Sequence, residues 1–160
     1  MQTINHTLEK RVLQADGKYL DNQGLETLER YHKTYETRLE TYQHLSQHSN
    51  NLVLMVLQRM GQDYPELIQK HGKRCQFDMT CVLRYVALAI LKDDETFFMD
   101  EMMDWLDTIL VAYRRNEHCA TAYRHMLEAM EDQLPAASSA MIRPYLDEVI
   151  LKLQSHTAHN

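Results

Sequence analysis

The chain has 160 residues, 44% hydrophobic and 25% charged, with a formal net charge of −6 at pH 7. That length supports one domain with a sizeable core, and the acidic balance argues against a nucleic-acid binder, which usually shows a basic face. No run approaches the roughly 18 apolar residues of a membrane span, and the opening MQTINHTLEKR is no secretory signal, so membrane insertion is not expected.

Gly and Pro are scarce, at four and three, and Leu, Met, Glu, Gln and Ala are plentiful, a balance that favours helix. Ile4, Leu8 and Val12 recur at helical spacing and predict a short amphipathic segment over 3–14, with Thr3 as a candidate cap. Ala15-Asp16-Gly17-Lys18 breaks it, and Asp21 or Asn22 caps a long helix. Its stripe is Leu25, Leu28, Tyr31, Tyr35, Leu39, Tyr42 and Leu45. Polar residues from Ser46 to Asn50 predict a boundary, and an apolar helix restarts at Asn51 and ends near Gly61 and Pro65.

The stretch Lys73 to Lys92, KRCQFDMTCVLRYVALAILK, reads as one buried helix. Cys75 and Asp78 stand one turn apart on a shared face, because residues three apart on a helix are neighbours. Taken alone, Cys75 also reads as a plain buried thiol, since Cys is among the most buried residue types; Cys81 points elsewhere and reads as core. After a polar connection with Thr96 as candidate cap, Phe98, Met102, Trp105, Leu106, Ile109, Leu110 and Tyr113 form the next apolar face. A turn at Arg114 to Glu117 leads to a helix ending at Gln133, where Pro135 forces a break. Ser138 or Ser139 starts the last helix, which places Pro144 in its first turn; the tail from Ser155 to Asn160 frays. The fold class is all-α, one domain of seven or eight helices.

The pattern Cys75-x-x-Asp78-Met79-x-x-x-Leu83-Arg84-Tyr85-Val86 resembles the central helix of the phycobiliproteins, the bilin-carrying subunits of the cyanobacterial antenna. Ala15 to Leu20, Met99-Asp100-Glu101 and Tyr145-Leu146-Asp147 add weaker matches, so the likeness runs from about Ala15 to Val149. The resemblance implies a globin-like helical core, 21–154, behind two N-terminal helices, with 1–20 as a dimerisation segment and 155–160 as a tail. It also implies a phycocyanobilin-type open-chain tetrapyrrole, joined by a thioether to Cys75, with Asp78 accepting from its inner pyrrole N–H groups. Such donors would offset the cost of a half-buried carboxylate. It implies, too, that Asp16 of one subunit pairs with Arg84 of another. The partner would be a second copy or another phycobiliprotein-like subunit, with phycobilisome or photosystem components beyond it. Placement would be cytoplasmic, at the cytoplasmic face of the thylakoid membrane.

The chain departs from that pattern in two places. Phe77 stands where the family often has an Arg that binds a bilin propionate, leaving Lys70, His71, Lys73 and Arg74 as candidates. No Gly stands near Trp105, which either stacks on a pigment ring or fills the core. Metal is not expected: His118, Ala122 and His125 give no tight chelate, and His44 and His48 straddle the predicted boundary without a third ligand. Haem lacks an axial histidine between Lys73 and Lys92. No phosphate loop, zinc-protease or nucleophile-elbow motif suggests an enzyme. Two functions remain. One is a bilin-bearing light-harvesting subunit. The other is a pigment-free homologue that works as an assembly, regulatory or turnover factor on antenna subunits or a photosystem. The stripe Ile4, Leu8, Val12 has little to bury against in such a core and is expected to form an interface.

Overall fold

The computed structural model describes residues 4–106, 108 and 116–155. Every element among them is helical: α1 His6–Gln14, α2 Asn22–Lys33, α3 Tyr35–Asp63, α4 Pro65–Lys92, α5 Glu95–Phe98, a π-helical turn Met99–Met103, α6 Asn116–Gln133 and α7 Ala136–Ser155. The fold is all-α, a globin-like core with two helices ahead of it. No described helix is long and apolar enough to cross a membrane. Thr3, Ile109, Leu110, Tyr113, Arg114, Arg115 and the tail beyond Ser155 lie outside the described residues.

The most extensive packing is α3 along α4, with α6 and α7 closing over them. Leu52, Val53 and Val56 of α3, Val82, Val86 and Ile90 of α4, Met126 of α6 and Ile142, Leu146 and Val149 of α7 form one hydrophobic cluster. Neither α1 nor α2 contributes a residue to it.

Several predicted boundaries move. Helix α3 runs unbroken through Ser46–Asn50. Its buried positions Arg38, Thr41, Leu45, Leu52 and Val56 keep helical spacing on both sides, so burial overrides the weak propensity of the polar residues between them. His44 and His48 therefore share one helix, their rings stacked 6.3 Å apart, and among the described residues no group of three could hold a metal. The long N-terminal helix instead divides at Thr34. There the buried Arg38, 2% exposed, donates to the Tyr31 carbonyl, the Leu91 carbonyl and Thr34 Oγ1, and lies 4.3 Å from the centre of the Tyr31 ring.

Helix α4 begins at Pro65, eight residues before the expected start, because Pro at the first helical position is pre-set for helix. That brings His71 onto it and carries it through Gly72, over which the Ile68 side chain packs. Helix α7 starts at Ala136, not Ser138, so Pro144 lies in its interior rather than its first turn. Ala140, whose carbonyl loses its usual partner there, is exposed to water. Helix α5 is capped by Asp94, whose Oδ1 accepts from Phe97 N at 3.0 Å, and not by Thr96.

Helix α1 is fastened by polar bonds. Asn5 caps it, accepting from Leu8 N at 2.9 Å, and its Nδ2 donates to the Lys92 and Asp93 carbonyls at 2.9 and 2.6 Å. His6 donates its backbone N–H to Asp94 Oδ2 at 3.0 Å, and its ring Nδ1 lies 2.6 Å from the same oxygen.

Candidate functional site

Helix α4 presents Cys75, Asp78 and Met79 to a cavity of about 50 Å³. Leu57 and Met60 of α3, Leu67 and Ile68 from the start of α4, Leu106, and His118, Cys119, Ala122 and Tyr123 of α6 complete its walls. The i, i+3 spacing does bring the thiol and the carboxylate to one wall.

The Asp78 side chain is 16% exposed. Arg74, one turn earlier, donates its Nε–H to Oδ2 at 3.1 Å; its Nε stands at the same 3.1 Å from the buried Oδ1, which pairs with the charge but accepts no hydrogen bond. Burial pushes the Asp78 carboxyl above the usual aspartate range, and Arg74 offsets only part of that. A carboxylate oxygen in this state costs free energy until a donor reaches it. Tyr123, also buried, lies close enough to be affected by Cys119, Asp78, Cys75 and Cys81: burial first, then those groups, raise its hydroxyl well above the ordinary tyrosine range. At the cavity edge the Tyr64 ring meets His118 edge-on at 4.6 Å.

Other candidates fall outside this wall. Lys73 is exposed and Trp105 is half-buried against the core, neither lining the cavity. Phe77 is 56% exposed, so it does not plug the pocket; the Arg74 guanidinium lies 5.7 Å from its ring centre. Cys119, His118 and Tyr123 are the wall residues that the spacing of metal ligands did not single out. Their signal was Cys119, Ala122, Tyr123 and Met126, one helical face at steps of three and four.

A second feature lies on the other side of α4. Arg84 is exposed and, with Tyr42, Ser46, Ser49, Ala87 and Leu88, lines a groove of about 350 Å³ between α3 and α4. Asp16 sits at φ 48° in the turn after α1, exposed, and the described residues show no ion pair between it and Arg84. Around it Ile4, Val12, Leu13 and Tyr19 are exposed, Tyr19 completely, whereas Leu8 is half-buried against the groove beneath α1. The exposed apolar face therefore includes Leu13 and Tyr19 in place of Leu8.

A model of the phycobilisome protein family matches residues 11–153. The chain belongs to the phycobilisome protein family. Among curated phycobilisome-family proteins it is 30% identical over 112 residues to the allophycocyanin subunit beta-18 of Aglaothamnion neglectum, covering 65% of this chain and 64% of that one. It is 28% identical over 107 residues to the C-phycocyanin beta subunit of Mastigocladus laminosus and to the C-phycocyanin beta chain of Galdieria sulphuraria, covering 61% of this chain and 62% of each relative. This phycobilisome-family chain thus spans a little under two thirds of the length of the relatives it matches.

Proposed function

We propose that the chain is a light-harvesting phycobilisome subunit that carries an open-chain tetrapyrrole, a bilin of the phycocyanobilin type, on Cys75. One observation carries this reading: the buried Oδ1 of Asp78, which accepts no hydrogen bond, one turn from a thiol that faces the same cavity. The donor set fits the group. Cys75 supplies the sulfur of a thioether, and Asp78 is an acceptor for inner pyrrole N–H groups, a charge-assisted pairing that gives its buried Oδ1 the hydrogen bond it lacks. When bound, the bilin supplies absorption of visible light. Asp78 holds its centre, and the walls from α3 and α6 restrict twisting that would waste the excitation. Arg74 is placed to choose between Asp78 and a propionate at the surface near Phe77.

Assembly belongs to the same reading. The apolar face of α1 and the turn at Asp16 dock on the α3–α4 groove of a second phycobiliprotein-like subunit, with Arg84 as the counter-charge. In the absence of another partner, that subunit is a second copy. The place of work is the cytoplasmic side of the thylakoid surface.

The test is co-expression with a bilin source and lyase. A zinc-fluorescent band on a denaturing gel, lost in Cys75→Ala, supports the reading; a colourless wild-type protein overturns it. The second reading, a pigment-free factor that binds phycobilisome or photosystem components, is favoured by the cavity volume. About 50 Å³ is well below the roughly 300 Å³ of the smaller ligand pockets. It expects a colourless protein that still captures antenna subunits.

A further inference from the structure

We propose that a second copy of this chain docks on the exposed face of α4 around Phe77, the acidic turn at Met99 of each copy lying against the basic ridge of the other. The contact depends neither on a bound pigment nor on the docking at Asp16.

The ridge follows from spacing. Lys70, Lys73, Arg74 and Phe77 stand at i, i+3, i+4 and i+7, one face of α4, and all four are exposed. From Leu67 to Lys92 the only carboxylate is Asp78, which is mostly buried and already held by Arg74. On a chain of net charge −6, this face is positive. Phe77 at its centre is 56% exposed, and the Arg74 guanidinium lies 5.7 Å from the centre of its ring. An apolar centre with a charged rim is the anatomy of a docking surface.

The opposite pattern lies beside it. Tyr85, eight residues after Phe77, points about 80° further around the helix. Phe97 stacks on Tyr85 at 5.9 Å and Leu106 reaches the Cys75 cavity, so the chain between them runs back along the flank of α4. In the π turn Met99–Met103 the neighbours Met102 and Met103 are both buried. Met99, Asp100, Glu101 and, just beyond the turn, Asp104 are left exposed. No Lys or Arg stands between Asp93 and Leu106 to offset these carboxylates. Among the described residues none of Lys70, Lys73, Asp100, Glu101 and Asp104 is in an ion pair.

A positive strip beside a negative one is self-complementary. A second copy turned about a two-fold axis sets its turn on this ridge and its ridge on this turn, and like charges are kept apart. Phe77 and Met99 then meet inside the two charged rims, a favourable sulfur–aromatic pairing. An anionic lipid surface fits only the ridge and is repelled by the carboxylates next to it.

The experiment uses the chain carrying Asp16→Arg, which keeps the docking at Asp16 out of the measurement. Sedimentation is followed at micromolar concentration in about 50 mM and about 0.5 M salt, where charge attraction is strong and then screened. The Asp16→Arg parent is expected to self-associate at low salt and to separate at high salt. Lys70→Glu with Lys73→Glu, and separately Asp100→Lys with Glu101→Lys, are each expected to weaken that association about tenfold or more. An equal mixture of the two is expected to regain it, because each then offers the other a face of opposite sign. A parent that is monomeric at low salt overturns the inference, as does an association that salt does not weaken; neither outcome needs the charge-reversed variants to fold. A mixture no better than its components overturns it too. So does a monomeric parent that binds vesicles of anionic phospholipid until Lys70 and Lys73 are reversed, which assigns the ridge to a membrane.

Discussion

Arg74 and Asp78 form an i, i+4 ion pair in which Nε stands 3.1 Å from each carboxylate oxygen but donates its hydrogen bond to Oδ2, so the buried Oδ1 accepts none. One N–H serves two oxygens: the charge is paired, and the buried oxygen still lacks a hydrogen bond, at a cost.

Replacing Asp78 by Asn removes that charge. Because burial raises the Asp78 carboxyl, its charged form opposes folding at neutral pH, and the cost fades as pH falls through the raised value. The pigment-free Asp78→Asn protein should therefore melt about 1–3 °C higher, a typical gain for relieving a functional strain at this length. In the pigmented protein the same change should keep the covalent bond, shift the main band to the blue and weaken it. A lower melting temperature together with an unchanged spectrum would show that Asp78 neither pays for burial nor touches pigment.

The joint of α1 should be acid-sensitive. Burial pushes Asp94 up, but hydrogen bonds from the His6 backbone and ring and from Phe97 N outweigh it and hold the carboxyl below its ordinary value. A depressed carboxyl stabilises the folded state above the ordinary aspartate value of about 3.9 and loses that contribution as pH falls through the lowered one. Helix α1 should stay docked at pH 5 and release below about pH 4, with roughly 1–2 kcal/mol lost. Limited pepsin digestion stepped down from pH 5 should show cleavage near α1 first. Asp94→Asn should flatten that dependence; an identical profile in the variant would refute the link.

Phe77→Arg should be tolerated. A residue 56% exposed changes stability by about 0.5 kcal/mol or less on substitution, not by the several kcal/mol of a buried unpaired charge. If the pocket takes a bilin, the new guanidinium offers a propionate partner and pigment yield should rise. Denaturant melts with absorbance per mole of protein check both statements, and a large loss of stability would place Phe77 in the core.

Asp16→Arg should weaken self-association at micromolar concentration by placing like charges at the docking contact, and adding Arg84→Asp should restore part of it. Sedimentation of wild type, single and double variants decides. A double variant no better than the single rejects the Asp16–Arg84 pairing. A wild type that remains monomeric alongside its native partners rejects the interface.

Helical class and the Cys75–Asp78 wall were legible because each follows from spacing within one helix. What spacing could not give was whatever depends on a second helix. Ser46 to Asn50 look like a loop until Leu45 and Leu52 are seen buried on either side of them. Tyr123 looks like a core aromatic until α6 brings it beside Asp78. Leu8 joins the exposed stripe by period, yet the polar fastening of Asn5 and His6 tilts it inward while leaving Leu13 out. Arg38 has no place in the predicted stripe, and its burial is explained by the carbonyls of Tyr31 and Leu91 to which it donates.

That arginine sets an order of events. Arg38 spans 53 residues to reach Leu91, and Asn5 spans 87 to reach Lys92. Both fastenings end at the last turn of α4, so neither can close until more than half of the chain has left the ribosome. The segments synthesised first thus wait, unseated, for the end of α4. Until then α1 trails as an unanchored amphipathic strip. Any contact that uses the seated face of α1 must therefore wait for the end of α4 to be made.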